Sequence, residues 1–237
     1  MNLILLNRDD FIAEDRVRLS GRRLEHINTV HRAEPDTQLR VGLLNGKTGH
    51  GLITQIDPNF IELTVVVTQP PPEKLPVTLL LALPRPKMLK RVIQSVTSLG
   101  VKQIYLINSY RVEKSFWSSP LLQPDNLHEQ LLLGLEQARD TVLPEVHIRQ
   151  RFKPFVEDEL PELCEGTKAL VAHPTSAKNV LLEPSQPTTL AIGPEGGFIP
   201  YEVDKFAACG FTPFSFGERI LRVETAVPAI LSRWLPI

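Results

Sequence analysis

Thr189-Leu190-Ala191-Ile192-Gly193-Pro194-Glu195-Gly196-Gly197-Phe198 is the stretch that decides the fold. Four apolar or β-branched residues run without a break into a turn holding three glycines and one carboxylate. So short an apolar run, bounded by Gly and Pro, reads as a buried strand of a parallel sheet. Residues 201–209 then read as a helix: Pro200 suits its first turn and Gly210 closes it. Strand, glycine turn and helix in succession form the unit of an α/β fold, where ligands bind beyond the carboxyl ends of the strands.

The same alternation extends outward from this stretch. Residues 77–83 read as a strand. Residues 87–99 follow as a helix with Met88, Leu89, Val92, Ile93, Val96 and Leu99 on one face and Gly100 as its stop. Strands are expected at 101–107, 169–172 and 211–216, and helices at 127–138 and 222–234. Asp125 or Asn126 is the expected cap of the former, and Pro228 interrupts the latter. Upstream, Gln69-Pro70-Pro71-Pro72-Glu73-Lys74-Leu75-Pro76 is a stiff linker. Before it lie short β runs at 39–44, 51–56 and 60–68, with Asn45-Gly46 and Asp57-Pro58-Asn59 as turns. Residues 1–70 are therefore expected to form a small barrel or sandwich, and residues 71–237 an α/β domain. Residues 1–6 are apolar but lack a basic start and a cleavage site, which favours a buried first strand over a signal peptide.

Composition narrows the function. Of 237 residues, 42% are hydrophobic and 22% charged, as in an ordinary globular protein. No apolar run is long enough to span a membrane. Two cysteines are too few for a disulfide framework and fit a reducing cytoplasm. The histidines show no metal-ligand spacing. A net charge of −1 excludes a strong, sequence-blind nucleic-acid binder. Local basic clusters remain: Arg16, Arg18, Arg22 and Arg23; Arg85, Lys87, Lys90 and Arg91; Arg149, Arg151 and Lys153. Each can be a solvated face or a set of phosphate contacts.

Three strand ends carry the candidate chemistry. Residues 191–198 offer backbone N–H groups freed by glycine and the carboxylate of Glu195. Residues 216–226, Phe-Gly-Glu-Arg-Ile-Leu-Arg-Val-Glu-Thr-Ala, lead from a strand through Gly217 into a helix. Capping by Thr225 and an ion pair explain part of this second motif, but less well the crowding of Glu218, Arg219, Arg222 and Glu224. The third is Val171-Ala172-His173-Pro174, where a lone histidine after a strand reads first as a hydrogen-bonded structural residue and second as a ligand contact.

In that order, H-P, I-G-P-E-G-G-F and L-R-V-E-T-A resemble the ribosomal RNA small-subunit methyltransferase E family of the SPOUT class. Leu99-Gly100-Val101, Glu136-Gln137-Ala138-Arg139, the segment 26–32 and the Asn45-Gly46 turn extend the resemblance over most of the chain. At the N-terminus Arg8 is the equivalent of the family's first-strand arginine. Ser95 and Ser98 replace a Lys and a Glu, and His31 an apolar residue. The resemblance implies a PUA-like β-barrel over residues 1–70 and, over 71–237, a methyltransferase domain with a C-terminal trefoil knot. It implies a cytoplasmic homodimer that uses S-adenosylmethionine, without a metal, to methylate N3 of a uridine in 16S rRNA of the small subunit. The cofactor set it implies is His173, Pro174, Ile192, Gly193, Pro194, Glu195, Gly196, Gly197, Gly217, Leu221, Arg222, Glu224, Thr225 and Ala226. Arg222, Glu224 and Glu195 are the implied catalytic groups. RNA contacts are expected from Arg8, Arg16, Arg18, Arg22, Arg23 and Arg32. Two other readings stay open: a 2′-O-ribose methyltransferase of the same class, and a non-catalytic RNA-binding assembly protein.

Overall fold

The computed structural model describes residues 2–31, 34–174 and 183–235. The chain packs as two compact units, Met1–Glu73 with Leu132–Leu143, and Lys74–Leu131 with Pro144–Ile237.

The first unit is built on a five-stranded mixed sheet. Its strands are β1 (Ile4–Leu6), β2 (Arg16–Leu19), β3 (Gln38–Leu43), β4 (Thr48–Ile56) and β5 (Ile61–Gln69), in the order β1-β3-β4-β5-β2. β1 runs parallel to β3, and the other pairings are antiparallel. Helix α1 (Gly21–His26) follows β2 and continues as a π-helical turn at Ile27–His31. The core gathers Ile4, Leu6, Val17, Leu19, Ile27, Val41, Ile53, Ile61 and Leu63. β2 alternates cleanly: Arg16 and Arg18 point outward while Val17 and Leu19 are buried. The outer side of β1 is covered too, because Leu3 and Leu5 pack with Leu132, Leu135 and Leu143. That apolar contact holds residues 132–143 to this unit. Its polar seam is the β3–β4 turn. Asn45 adopts φ 56°, its N–H donates to the Thr141 carbonyl at 2.8 Å, and its Oδ1 accepts the Leu143 N–H at 2.9 Å.

The second unit is an α/β sheet of six parallel strands. They are β6 (Val77–Ala82), β7 (Gln103–Ile107), β8 (Glu145–Arg149), β9 (Lys168–Ala172), β10 (Thr188–Ile192) and β11 (Thr212–Phe214), in the order β11-β9-β10-β6-β7-β8. β10 is buried throughout, as its unbroken apolar run requires. The helices are α2 (Pro86–Ser98), α3 (Pro124–Ala138, whose last turns belong to the first unit), α4 (Phe152–Pro154), α5 (Leu160–Leu163), α6 (Pro200–Ala208) and α7 (Val223–Leu231). α2 buries Leu89, Val92, Ile93 and Val96 and packs against α7, which buries Val223, Val227, Ile230 and Leu231.

Three expectations are corrected. α3 begins at Pro124, because proline's fixed φ suits a first helical position. Asp125 therefore lies inside the first turn instead of capping it. β11 ends at Phe214; the Ser215 hydroxyl turns back to donate to the Gly217 carbonyl at 2.9 Å, which takes residues 215–217 out of the sheet. The last helix ends at Leu231 and tightens into a 3-10 turn at Ser232–Trp234. Pro228 sits in its interior and leaves the Glu224 carbonyl without its helical donor.

Candidate cofactor cleft

Strands β9, β10 and β6 are neighbours, and β11 lies beyond β9, so the segments leaving their carboxyl ends converge. After β10 the chain makes a tight turn in which the Gly197 N–H donates to the Pro194 carbonyl at 2.7 Å. Gly197 takes φ +72°. A Cβ at Gly193 would stand 2.9 Å from the Phe198 amide nitrogen and 3.2 Å from the Gly197 Cα. Only glycine lets the two arms of this turn close so tightly. Phe198 anchors the turn: it is buried, 5.1 Å from the Phe206 ring, which in turn is 5.1 Å from Phe211.

Glu195 points into the mouth of the turn, and its Oε1 accepts the Arg85 backbone N–H at 3.1 Å. At the end of β9, the His173 N–H donates to the Phe214 carbonyl at 2.9 Å, tying β9 to β11. Arg222 is the N-cap of α7, with extended backbone. Its carbonyl accepts N–H bonds from Thr225 and Ala226 at 2.9 and 2.7 Å.

Between these segments lies a cleft of about 700 Å³, open mouth included. Its lining includes His173, Pro174, Ile192, Gly193, Pro194, Glu195, Gly197, Leu221 and Ala226, nine of the expected cofactor residues. Gly196, Gly217, Arg222, Glu224 and Thr225 flank the lining without belonging to it. Gly196 instead gives its carbonyl to the Arg111 guanidinium. Arg222 is exposed and Glu224 half-buried. The sequence reading missed the apolar wall, Phe216, Ile220, Val223 and Ile230. Ile220 is 85% exposed, an aliphatic side chain at the mouth with no protein cover. Its only sequence signal was an isoleucine between two arginine-bearing positions.

The six expected RNA contacts separate into groups. Arg18 donates to Glu62 at 2.7 and 3.0 Å and stacks on Phe60 at 4.5 Å. Arg22 forks onto Glu136 at 2.8 and 2.9 Å. Arg23 forks onto Asp10 at 2.5 and 2.6 Å and also donates to the Leu5 carbonyl at 2.9 Å. Their carboxylates are all buried, so these arginines neutralise charges that would otherwise be costly. Arg8 and Arg16 are exposed, without an ion pair among the described residues. Arg32 lies outside the described residues. Among the described residues no His, Cys, Asp and Glu side chains are grouped to hold a metal ion, and no helix is long and apolar enough to cross a membrane.

A parallel sheet with a mostly apolar, glycine-edged cleft at its strand ends defines an α/β enzyme domain of the ligand-gripping kind. A family model described as RNA methyltransferase domain matches residues 71–235. The chain belongs to this family, and within it to that of ribosomal RNA small subunit methyltransferase E. It is 30% identical to the protein of that name from Treponema pallidum, over 97% of this chain and 88% of the relative. It is 25% identical to ribosomal RNA small subunit methyltransferase E 1 of Borreliella burgdorferi, over 97% and 95%. The fold matches a ribosomal RNA small subunit methyltransferase E from Neisseria gonorrhoeae, solved bound to S-adenosyl methionine. That match has a TM-score of 0.78 and 20% identity, covering 98% of this chain and 95% of the other.

Proposed function

We propose that this chain transfers a methyl group from S-adenosylmethionine to N3 of a uridine in 16S rRNA. The observation that carries the proposal is the convergence of the segments leaving β9, β10 and β11 on one cleft. The curated relatives, named for small-subunit ribosomal RNA methylation, point the same way. The cleft suits the cofactor in two respects. It has an apolar wall for the adenosine, and the Gly193 turn has no space for a Cβ, so backbone can reach the ligand edge.

In this reading the backbone at Ile192, Gly193, Gly197 and Leu221 holds the adenosine and methionine, with His173 and Pro174 closing the rim. When bound, the cofactor supplies an electrophilic sulfonium methyl. Uridine N3 must lose its proton to attack. Arg222, exposed at the start of α7, stabilises the negative charge that develops on the uracil oxygens. Glu224 or Glu195 takes the proton through water or orients Arg222. Glu195 keeps one oxygen for this duty, its other being engaged by Arg85. Arg8 and Arg16, exposed and without an ion pair among the described residues, are the two of the expected arginines available to phosphate.

The finer architecture belongs to the same proposal. The insertion of β10 between β9 and β6, with the chain returning from β11 to pack α7 on α2, supports a trefoil knot near the C-terminus. The five-stranded mixed sheet supports a PUA-like barrel. The family resemblance adds a cytoplasmic homodimer acting on the small ribosomal subunit. The test is nucleoside mass spectrometry of 16S rRNA treated with the purified protein and cofactor. The expected product is 3-methyluridine; a 2′-O-methyl product or none overturns the reading. Arg222→Ala should lower turnover at least about a hundredfold while calorimetric cofactor affinity persists. Undiminished turnover removes Arg222 from the mechanism.

A further inference from the structure

The loop leaving β7 carries an exposed aromatic and two cations, Arg111 and Lys114, that have no part in the proposed mechanism. It runs Asn108-Ser109-Tyr110-Arg111-Val112-Glu113-Lys114-Ser115-Phe116-Trp117. Tyr110 is 80% exposed, yet its backbone is fixed. Its N–H donates at 2.7 Å to Oε1 of Glu202, and the other oxygen of that carboxylate accepts the Ile199 N–H at 2.9 Å. Glu202 itself is 2% exposed. Arg111 donates to the Gly196 carbonyl, and Trp117 Nε1 to Asn108 Oδ1 at 3.1 Å. The loop is thus fastened at both ends, and to the glycine turn of the cofactor cleft, while the phenol ring projects without a packing partner.

Sheet order extends the pattern. β10, β6 and β7 are consecutive neighbours, so the segments after them stand in a row at the carboxyl edge. The segment after β6 holds Arg85 and Lys87, both exposed, and its Arg85 N–H is tied to Glu195. From the cofactor turn outward the row reads Glu195, then Arg85 and Lys87, then Tyr110, Arg111 and Lys114, with Glu113 as a second carboxylate within the β7 loop. A rigidly mounted aromatic beside cationic side chains is the combination that binds unpaired RNA: bases stack on the ring while the cations meet neighbouring phosphates.

We infer that the segments after β6 and β7 are the RNA-reading face of the methyltransferase unit. Tyr110 stacks a base next to the target uridine, and Arg85 and Arg111 contact the flanking phosphates. This rests on the proposed RNA methylation and names the surface that positions its substrate. Tyr110 acts as a positioning residue.

The experiment is steady-state methylation of 16S rRNA, presented naked and within purified small subunits, by the full-length wild type, Tyr110→Ala, Tyr110→Phe and Arg85→Gln. Tyr110→Ala should raise the KM for RNA about tenfold, the scale of one lost stacking partner. Its kcat should stay within about threefold, its calorimetric cofactor affinity should not change, and Tyr110→Phe should restore the wild-type KM. Arg85→Gln should lower the salt slope of RNA binding by about one. A wild-type KM in Tyr110→Ala, or Tyr110→Phe as defective as Tyr110→Ala, overturns the inference and leaves the methyltransferase assignment standing. A wild type that takes up the cofactor but methylates neither form of the RNA removes both.

Discussion

Arg23 separates two roles that a basic cluster can play, and Arg23→Ala tests which one it has. Its guanidinium forks onto Asp10 at 2.5 and 2.6 Å and donates a third bond to the Leu5 carbonyl. The two side chains are 18% and 10% exposed. Truncating Arg23 removes the counter-charge of a nearly buried carboxylate and leaves it the Asn7 N–H at 2.6 Å. Breaking a buried pair from one side costs roughly 3–5 kcal/mol, and the residual exposure of Arg23 places this case near 3 kcal/mol. In a protein of this size each kcal/mol lowers Tm by about 2–4 °C, so Arg23→Ala should melt about 6–12 °C below wild type. Thermal and urea unfolding followed by circular dichroism measures this. Asp10→Ala and the double variant complete a cycle whose coupling should be about 2 kcal/mol. Below the transition, RNA affinity should stay within about threefold of wild type, since the guanidinium is already engaged. A melting point within about 2 °C of wild type together with a tenfold loss of RNA affinity would refute the reasoning, and the arginine would then be a phosphate contact.

Arg16→Ala should behave in the opposite way, with stability within about 0.5 kcal/mol of wild type and a salt slope of RNA binding lowered by about one, read by titrations at several ionic strengths. Gly193→Ala should weaken S-adenosylmethionine binding at least about tenfold by calorimetry, because the new Cβ meets the backbone of Phe198 and Gly197 at 2.9 and 3.2 Å; equal affinity would show that the turn opens freely. Burial pushes the Cys164 thiol up to about 11. At pH 8 it should therefore alkylate about a hundredfold more slowly than an unperturbed thiol, as mass spectrometry can follow. Because the unfolded thiol ionises first, the stability tied to this group is intact below about pH 9 and is lost as pH rises toward 11. A Cys164→Ala variant should lack that part of the alkaline loss, and identical pH–Tm curves would contradict the assignment.

The strand ends were legible because their chemistry is local. Residues 189–198 announce a buried strand and a glycine turn in ten consecutive letters, and nine of the expected cofactor residues line the cleft. Other features depend on partners the local pattern cannot show. β2 was hidden because Arg16 and Arg18 alternate with Val17 and Leu19, so a half-buried strand looked like a charge cluster. Arg18, Arg22 and Arg23 find their carboxylates 44, 114 and 13 residues away; no spacing rule predicts such pairs. β8 is an edge strand without a fully buried residue, hence without an apolar run to mark it. Residues 132–143 join the first unit because Leu3 and Leu5 need cover, a need created by a strand more than a hundred positions upstream.

Glu202 shows why the two sides of the site need a carboxylate between them. A charge this deeply buried is expensive unless every lone pair is used. Here one oxygen receives the N–H of Tyr110 and the other that of Ile199, within the first turn of α6, where the helix dipole also favours an anion. An amide in the same place would offer one acceptor and turn a donor toward a backbone donor. The ionised side chain alone satisfies both amides at once. The spacing between the segment that follows β10 and the loop that presents Tyr110 is therefore set by one side chain, to within the tolerance of two hydrogen bonds. Neither segment can shift without stripping partners from a buried charge. The proposed transfer, which must bring a methyl group and a nucleophilic nitrogen into line, calls for that stiffness between the surfaces proposed to hold them.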